Sequence, residues 1–195
     1  MIEMRTLEQV AIADLERIAP SYTSAHVYDV TREDNDERTA ITLTLRALDT
    51  PITLPFRRTP DVVEYYQEVL AHGLSLGVYD SAAGERLIGV AIADAQAWNG
   101  TLLVWEFHLE PTYRGRGIGR RMMEVLAERA AAAGLRVISV ETSTTNVPAM
   151  RFYRRVGFSI DSLDLSFYSN DDVDKGDVVV FMKRKLTPSA PAKNE

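Results

Sequence analysis

The chain has 195 residues, with 22 Lys+Arg against 28 Asp+Glu for a formal charge of −6, 46% hydrophobic residues and no Cys. A chain of this length buries roughly 70% of its unfolded surface, so it needs neither disulfide nor metal for stability. The missing thiols exclude disulfide frameworks, thiolate zinc sites, iron–sulfur clusters and cysteine nucleophiles.

The opening Met-Ile-Glu-Met-Arg-Thr has no basic segment leading into an apolar one, and no run approaches the ~20 apolar residues that cross a bilayer. This predicts a cytoplasmic protein with no membrane partner. The acidic balance disfavours nucleic acid and suits cationic partners. Leu7, Val10, Ala11, Leu15 and Ile18 recur at helical spacing and Pro20 stops them, which predicts a helix over 6–18. Two strands, 27–30 and 40–48, flank the charged stretch Arg32 to Arg38, which reads as a hairpin loop. Pro60 opens a second helix that Gly73 ends. Strands over 74–79, 86–95 and 102–109, joined by short turns, form an antiparallel meander. A long amphipathic helix runs from Ile118 to the stop at Gly134, followed by a strand over 135–141 and a short helix over 148–155. An extended segment over 158–168, a turn over 170–177 and an apolar strand over 178–185 complete one α+β domain over 1–186. Residues 187–195, with two Pro and no apolar anchor, read as a disordered tail. The helix between the strands ending at 109 and 141 makes those two strands parallel within a mixed sheet.

Chemistry concentrates first in Arg114-Gly115-Arg116-Gly117-Ile118-Gly119, between a strand and the longest helix. Alternate glycines free several backbone N–H groups to converge, and the helix behind them adds about half a positive charge, so the segment suits a phosphate or pyrophosphate. Arg114, Arg116, Arg120 and Arg121 supply countercharge. The dinucleotide fingerprint G-x-G-x-x-G fails at Arg120, and the Walker pattern lacks its G-K-[ST], which argues against NAD or a nucleoside triphosphate. A plain helix-opening turn with solvated arginines is the alternative. The second concentration runs from Glu141 through Thr-Ser-Thr-Thr-Asn146-Val-Pro-Ala149-Met-Arg-Phe152-Tyr153 to Gly157-Phe158, where a strand turns into a helix.

These residues carry a resemblance. Thr145 to Phe158 is similar to the segment [ST]-N-x-x-A-x-x-[FL]-Y-x-x-x-G-F of the GNAT superfamily of acyl-CoA N-acyltransferases, and Arg114 to Gly119 resembles that family's pyrophosphate loop. Trp98-Asn99, Glu141-Thr142, Asn146-Val147-Pro148-Ala149 and Leu163 to Tyr168 look like streptothricin acetyltransferases. The match extends from about Leu74 to Leu186 and is weak over the first 70 residues, where a leading helix departs from the family's strand-first order. The resemblance implies a single GNAT-like domain: a mostly antiparallel twisted sheet with helices on both faces and splayed central parallel strands. It implies acetyl-CoA as acyl donor. The backbone of Phe107, His108 and Leu109 would pair with the pantetheine arm, and Arg114, Gly115, Arg116, Gly117, Ile118, Gly119 and Arg120 would hold the pyrophosphate. Asn146 would meet the pantetheine where the strands splay, Tyr153 would be the general acid toward the CoA thiolate, and Glu141 the base.

A base is needed because a primary amine with pKa near 10.4 is only ~0.1% neutral at pH 7.4, a handicap of about 4 kcal/mol. Glu141 has a structural alternative, pairing with Arg151 or Arg154, as Tyr153 has a core-aromatic one; Glu106 is a rival base. Strand alternation sets Glu106 opposite Phe107, an assignment that one bulge reverses. The side chain of His108 reads as structural, since no second His or Cys stands at metal spacing. Trp98, Trp105, Tyr65 and Tyr66 read as core or as a cation–π pocket. Asp161 to Asp177, with six Asp and one Lys, reads as a solvated loop or as an acidic rim. Together these point to acetyl transfer onto a primary amine of a small cationic acceptor, a streptothricin-type antibiotic first. Another small amine, a protein N-terminus, or a non-catalytic acyl-CoA-binding module are the alternatives. Pairing with a second copy, common in the superfamily, stays open.

Overall fold

The computed structural model describes residues 1–56 and 59–187. The expectation of a disordered tail falls on residues 188–195, outside the described ones, apart from Thr187. In chain order the elements are β1 (Ile2–Thr6), α1 (Ile12–Ile18), β2 (Ser21–Asp34), β3 (Thr39–Pro55), α2 (Pro60–Leu70), β4 (Leu76–Asp80), β5 (Arg86–Gln96) and β6 (Thr101–Leu109). There follow α3 (Ile118–Ala132), β7 (Val137–Ser143), α4 (Val147–Arg155), β8 (Ser159–Asp164), α5 (Asp172–Lys175) and β9 (Val179–Lys185). A seven-stranded sheet has the order β1-β4-β5-β6-β7-β9-β8, and β2 and β3 form a separate two-stranded ribbon. By its backbone contacts the chain divides into two compact units. One comprises Met1–Pro20, Phe56–Val140 and the chain from Arg184 onward; the other comprises Ser21–Pro55 and Glu141–Lys183.

The first unit holds the meander. β4, β5 and β6 pair antiparallel, as their short turns require, whereas β6 and β7 pair parallel because α3 carries the chain back across the sheet. That parallel pairing joins Thr101–Val104 to Val137–Val140, and β6 continues to Leu109 beyond it. α1 and α2 lay Leu15, Ile18, Tyr66, Val69 and Leu70 against Leu87, Val90 and Ile92 of β5. The buried stripe of α3 is Ile118, Met122, Met123, Leu126, Ala127 and Ala130, the period of 3 to 4 that the sequence shows. Arg129, on the helical repeat yet cationic, points its guanidinium at the Ser75 carbonyl, 2.7 Å away; its aliphatic stem provides the burial that the pattern registers.

Three expectations are corrected. No helix leads the chain: β1 does, pairing antiparallel with β4 from Ile2↔Asp80 to Thr6↔Leu76, and the helix begins only at Ile12. Leu7 and Val10 are buried in the link between them, so their spacing reports core contact rather than helix. With β1 first, the departure from strand-first order disappears. The hairpin is also longer than its apolar residues indicate, with Arg32–Asp34 paired to Thr39–Ile41. A two-stranded ribbon satisfies its backbone hydrogen bonds while charged side chains stay in water, as the surface pair Arg46–Asp29 does at 2.7 Å. Finally, the extended segment ends at Asp164, and the expected turn over 170–177 contains the single helical turn α5. In the second unit α4 packs on β2, and Thr144 links two other segments, accepting from Tyr28 N at 3.0 Å and donating to Val178 O at 2.9 Å.

Candidate active site

The turn from β6 into α3 is built from left-handed glycines. Gly115 and Gly117 both have φ +78°, a region that other L residues reach only with strain, and a Cβ placed on either would meet no atom within 4 Å. The space in front of the turn is therefore open. Gly117 is the N-cap of α3, no side chain caps the helix, and no acidic residue stands in its first turn. Uncapped N–H groups at a helix start require partners from outside the helix. Arg114 folds back, its Nε 2.9 Å from the Leu109 carbonyl, tying the turn to the end of β6. Arg116 lies over the Tyr113 ring, 5.3 Å from its centroid. The residues of the phosphate-type loop thus form an exposed turn at an uncapped helix start with cationic side chains alongside, a fit to a pyrophosphate.

On β6 itself the pairing slips by one residue: Ile92 faces Glu106 while Ala93 faces Val104, leaving Trp105 as the extra residue of a bulge. Glu106 is 8% exposed. Tyr66 on α2 donates its hydroxyl to Glu106 Oε1 at 3.1 Å, and His108 Nε2 sits against Oε2. The Phe56 ring meets the His108 imidazole edge-on at 4.7 Å. The four aromatics singled out in the sequence separate here. Tyr66 is buried, Tyr65 and Trp105 form a half-exposed edge-to-face pair at 5.4 Å, and Trp98 is almost wholly exposed.

The second unit holds the other candidates. Glu141, near the end of β7, accepts a hydrogen bond at 2.5 Å from the Tyr168 hydroxyl, and neither Arg151 nor Arg154 is its partner; Arg154 reaches the Tyr28 hydroxyl instead, at 2.9 Å. Burial of the hydroxyl end, and then the adjoining Glu141 carboxylate, hold the Tyr168 phenol far above its ordinary range, although the residue as a whole is 65% exposed. Tyr153 is buried at 7% exposure between Phe152 and Phe158, both 5.5 Å away ring to ring. Asn146 is the N-cap of α4, its Oδ1 accepting from Ala149 N at 3.2 Å. Next to Glu141, Thr142 Oγ1 is buried without a hydrogen-bond partner among the described residues. Three bonds meet at Thr145 Oγ1, which lies 2.7 Å from the Tyr22 hydroxyl and 2.8 Å from the Ser143 hydroxyl and donates to Asp177 Oδ1 at 3.0 Å. The acidic stretch over 161–177 is bonded to its neighbours: Asp172 accepts from Ser169 and Asp161 pairs with Lys183.

The structure thus places Phe107, His108 and Leu109 on one strand end leading into the glycine turn, and separately Glu141 on β7, Asn146 at the start of α4 and Tyr153 two turns along that helix. The link of Tyr66 and His108 to Glu106, and that of Tyr168 to Glu141, are absent from the sequence reading. Tyr168 carries no spacing signal toward a carboxylate 27 residues away. His108 two residues from Glu106 on a strand does carry one, because such residues share a face.

A family model described as the acetyltransferase (GNAT) family matches residues 42–158. A streptothricin acetyltransferase of Streptomyces lavendulae is 33% identical over 96 residues, 49% of this chain and 50% of that one. The chain thus spans about half the length of that curated relative. A nourseothricin acetyltransferase crystal structure superposes with a TM-score of 0.70 at 26% identity, covering 95% of this chain and 99% of that one. A chain from Bacillus anthracis str. Ames, assigned as a streptothricin acetyltransferase and solved with acetyl coenzyme A, superposes at 0.70 with 18% identity, covering 96% and 99%, a likeness of fold. Among the described residues no helix is long and apolar enough to cross a membrane.

Proposed function

Because the chain belongs to the acetyltransferase (GNAT) family, we propose that it moves an acetyl group from acetyl-CoA directly to a primary amine of a small cationic acceptor, with streptothricin-type antibiotics foremost, within one catalytic domain over 1–186. The observation that carries this reading is the open, uncapped glycine turn ahead of α3, with left-handed Gly115 and Gly117 and no side chain closing the helix. The backbone of Gly115 to Arg120 receives the pyrophosphate there, with Arg114, Arg116 and Arg120 beside it. The strand end Phe107, His108 and Leu109 offers its backbone to the pantetheine arm. Bound acetyl-CoA supplies an activated thioester. The residues supply orientation and proton transfer: Tyr153 donates to the departing sulfur, a contribution of about 10² to 10⁴ in rate, and Glu141 is the base that the resemblance implies for the acceptor's ammonium. Asn146 has its Oδ1 committed to the cap and keeps its Nδ2 for the pantetheine. With no Cys in the chain, transfer passes through a ternary complex rather than a thiol acyl-enzyme.

The names of the relatives and the acidic balance of the chain support a cationic antibiotic as acceptor. Mass spectrometry of streptothricin incubated with the protein and acetyl-CoA, beside polyamines, aminoglycosides and peptide N-termini, tests it. One acetyl group gained by streptothricin, well above background, is the expected result. Acetylation of another amine alone keeps the chemistry and removes the acceptor, and binding of acetyl-CoA without transfer to any amine makes the chain a binding module.

A further inference from the structure

We propose that His108, in place of Glu141, is the base that takes the proton of the acceptor amine, with Glu106 and Tyr66 as its positioning residues; this rests on the acetyl-transfer reading. The geometry begins at the bulge. Trp105 is the extra residue of β6, and beyond it Glu106 turns its carboxylate under α2, where it is 8% exposed. A buried carboxylate persists only when bonded, and Glu106 is: Tyr66 donates to Oε1 at 3.1 Å and His108 Nε2 faces Oε2. An ionised carboxylate can only accept. The hydrogen of the neutral imidazole therefore sits on Nε2, and the ring's lone pair is left on Nδ1, which has no hydrogen-bond partner among the described residues. The ring is held in place by the edge of Phe56 and its side chain is 13% exposed. A carboxylate on one ring nitrogen and a free lone pair on the other is the arrangement that makes imidazole an effective base, because the carboxylate stabilises the imidazolium that forms.

The chemistry favours imidazole over a carboxylate. An ordinary imidazole lies near 6.5 and an ordinary Glu near 4.3, so against an ammonium near 10.4 the imidazole gains about two pH units, roughly 100-fold in the transfer equilibrium. His108 also stands in the strand segment proposed for the pantetheine arm, one residue before the end of β6. The proton leaves the ammonium for Nδ1, and the freed lone pair attacks the acetyl carbonyl carbon. The N–C bond forms, the C–S bond breaks, and sulfur takes a proton from the general acid. The nitrogen's second proton passes through water to the conjugate base of the general acid and restores it. His108 then loses its proton to water, one released per turnover. Among the described residues, the titratable groups facing the ring are Glu106 on its own strand and, through it, Tyr66 of α2; Phe56 and the cross-strand neighbour Val90 are not titratable.

The test compares wild type with H108Q and E106Q in acetyl-CoA turnover on an amine that the wild type accepts, from pH 5.5 to 10. For H108Q we expect kcat at pH 7 to fall at least 100-fold with the KM for acetyl-CoA within about threefold, the residual rate climbing with pH as the amine itself loses its proton. In E106Q the imidazolium loses its charge partner, so the acid limb of the profile should move to lower pH. Added imidazole should restore part of the rate to an H108A variant, a rescue that a structural role would not give. An H108Q profile that merely scales down in parallel with wild type, or an acid limb unmoved in E106Q, overturns the proposal and leaves acetyl transfer standing. Wild-type protein that acetylates no amine overturns both.

Discussion

The helices that follow β6 and β7 in this protein begin in opposite ways. Between β6 and α3 the chain uses Gly117 at φ +78° and leaves the helix start uncapped. Between β7 and α4 it uses Asn146, whose side chain caps the helix, and places Pro148, which has no N–H, in the first turn. A helix start left open binds charge from outside; one closed from within is stiff. The contrast fits the proposed roles, with ligand binding at the first turn and Tyr153 carried two turns along the helix that the second one caps.

That division of labour can be broken by four substitutions, the largest effect first. Tyr153→Phe should lower kcat by about 10² to 10⁴ with the KM for acetyl-CoA nearly unchanged; a kcat that survives removes Tyr153 as the acid. Gly117→Val should act the other way, raising the KM for acetyl-CoA at least tenfold while kcat at saturation changes little. The protein's own packing leaves room for the Cβ, so the stability loss is confined to the left-handed backbone, about 1–3 kcal/mol, and calorimetry should find a modest drop in Tm. Unchanged acetyl-CoA affinity would sink the loop assignment. Asn146→Ala should cost about 1 kcal/mol, or roughly 2–4 °C in Tm, from the lost cap, and should raise the KM for acetyl-CoA a few-fold from the lost pantetheine contact. A lowered Tm with acetyl-CoA binding intact would leave Asn146 a cap alone.

The smallest effect belongs to Tyr168→Phe. Because burial and the Glu141 carboxylate raise the Tyr168 phenol above its ordinary value near 10, the group is protonated in both folded and unfolded chains below that pH. Its contribution is then fully present, and it declines as pH rises past about 10, where the unfolded chain ionises first. Denaturant midpoints of wild type and variant should differ by a constant small amount up to about pH 10 and converge above it. Spectrophotometric titration should lose the latest-ionising phenol. A difference that grows with pH would refute the hydrogen bond to Glu141.

Much of this was legible in the residues because the relevant signals are local. A glycine that must take positive φ, an Asn three residues ahead of the N–H it caps, and a stripe of apolar residues along α3 each depend on neighbours within a turn or two. For the same reason the antiparallel meander and the parallel crossover could be read, since connection length alone selects between them. The errors fell where the signal was short or ambiguous. β1 offers five residues of alternation, and Leu7 and Val10 imitate a helix while packing as a link. The charged ends of β2 and β3 look like a loop until the pairing that holds them is known.

By itself, then, the sequence determined the family, the starts of α2, α3 and α4 and the anion-suited turn, all encoded within windows of about fifteen residues. The tertiary structure alone decided which partner each reactive side chain keeps. Tyr66 reaches Glu106 across 40 residues and Tyr168 reaches Glu141 across 27. Those distances in sequence are closed only by strand register and by a one-residue bulge at Trp105, and register is set by the sum of all pairings in a sheet rather than by any residue in it.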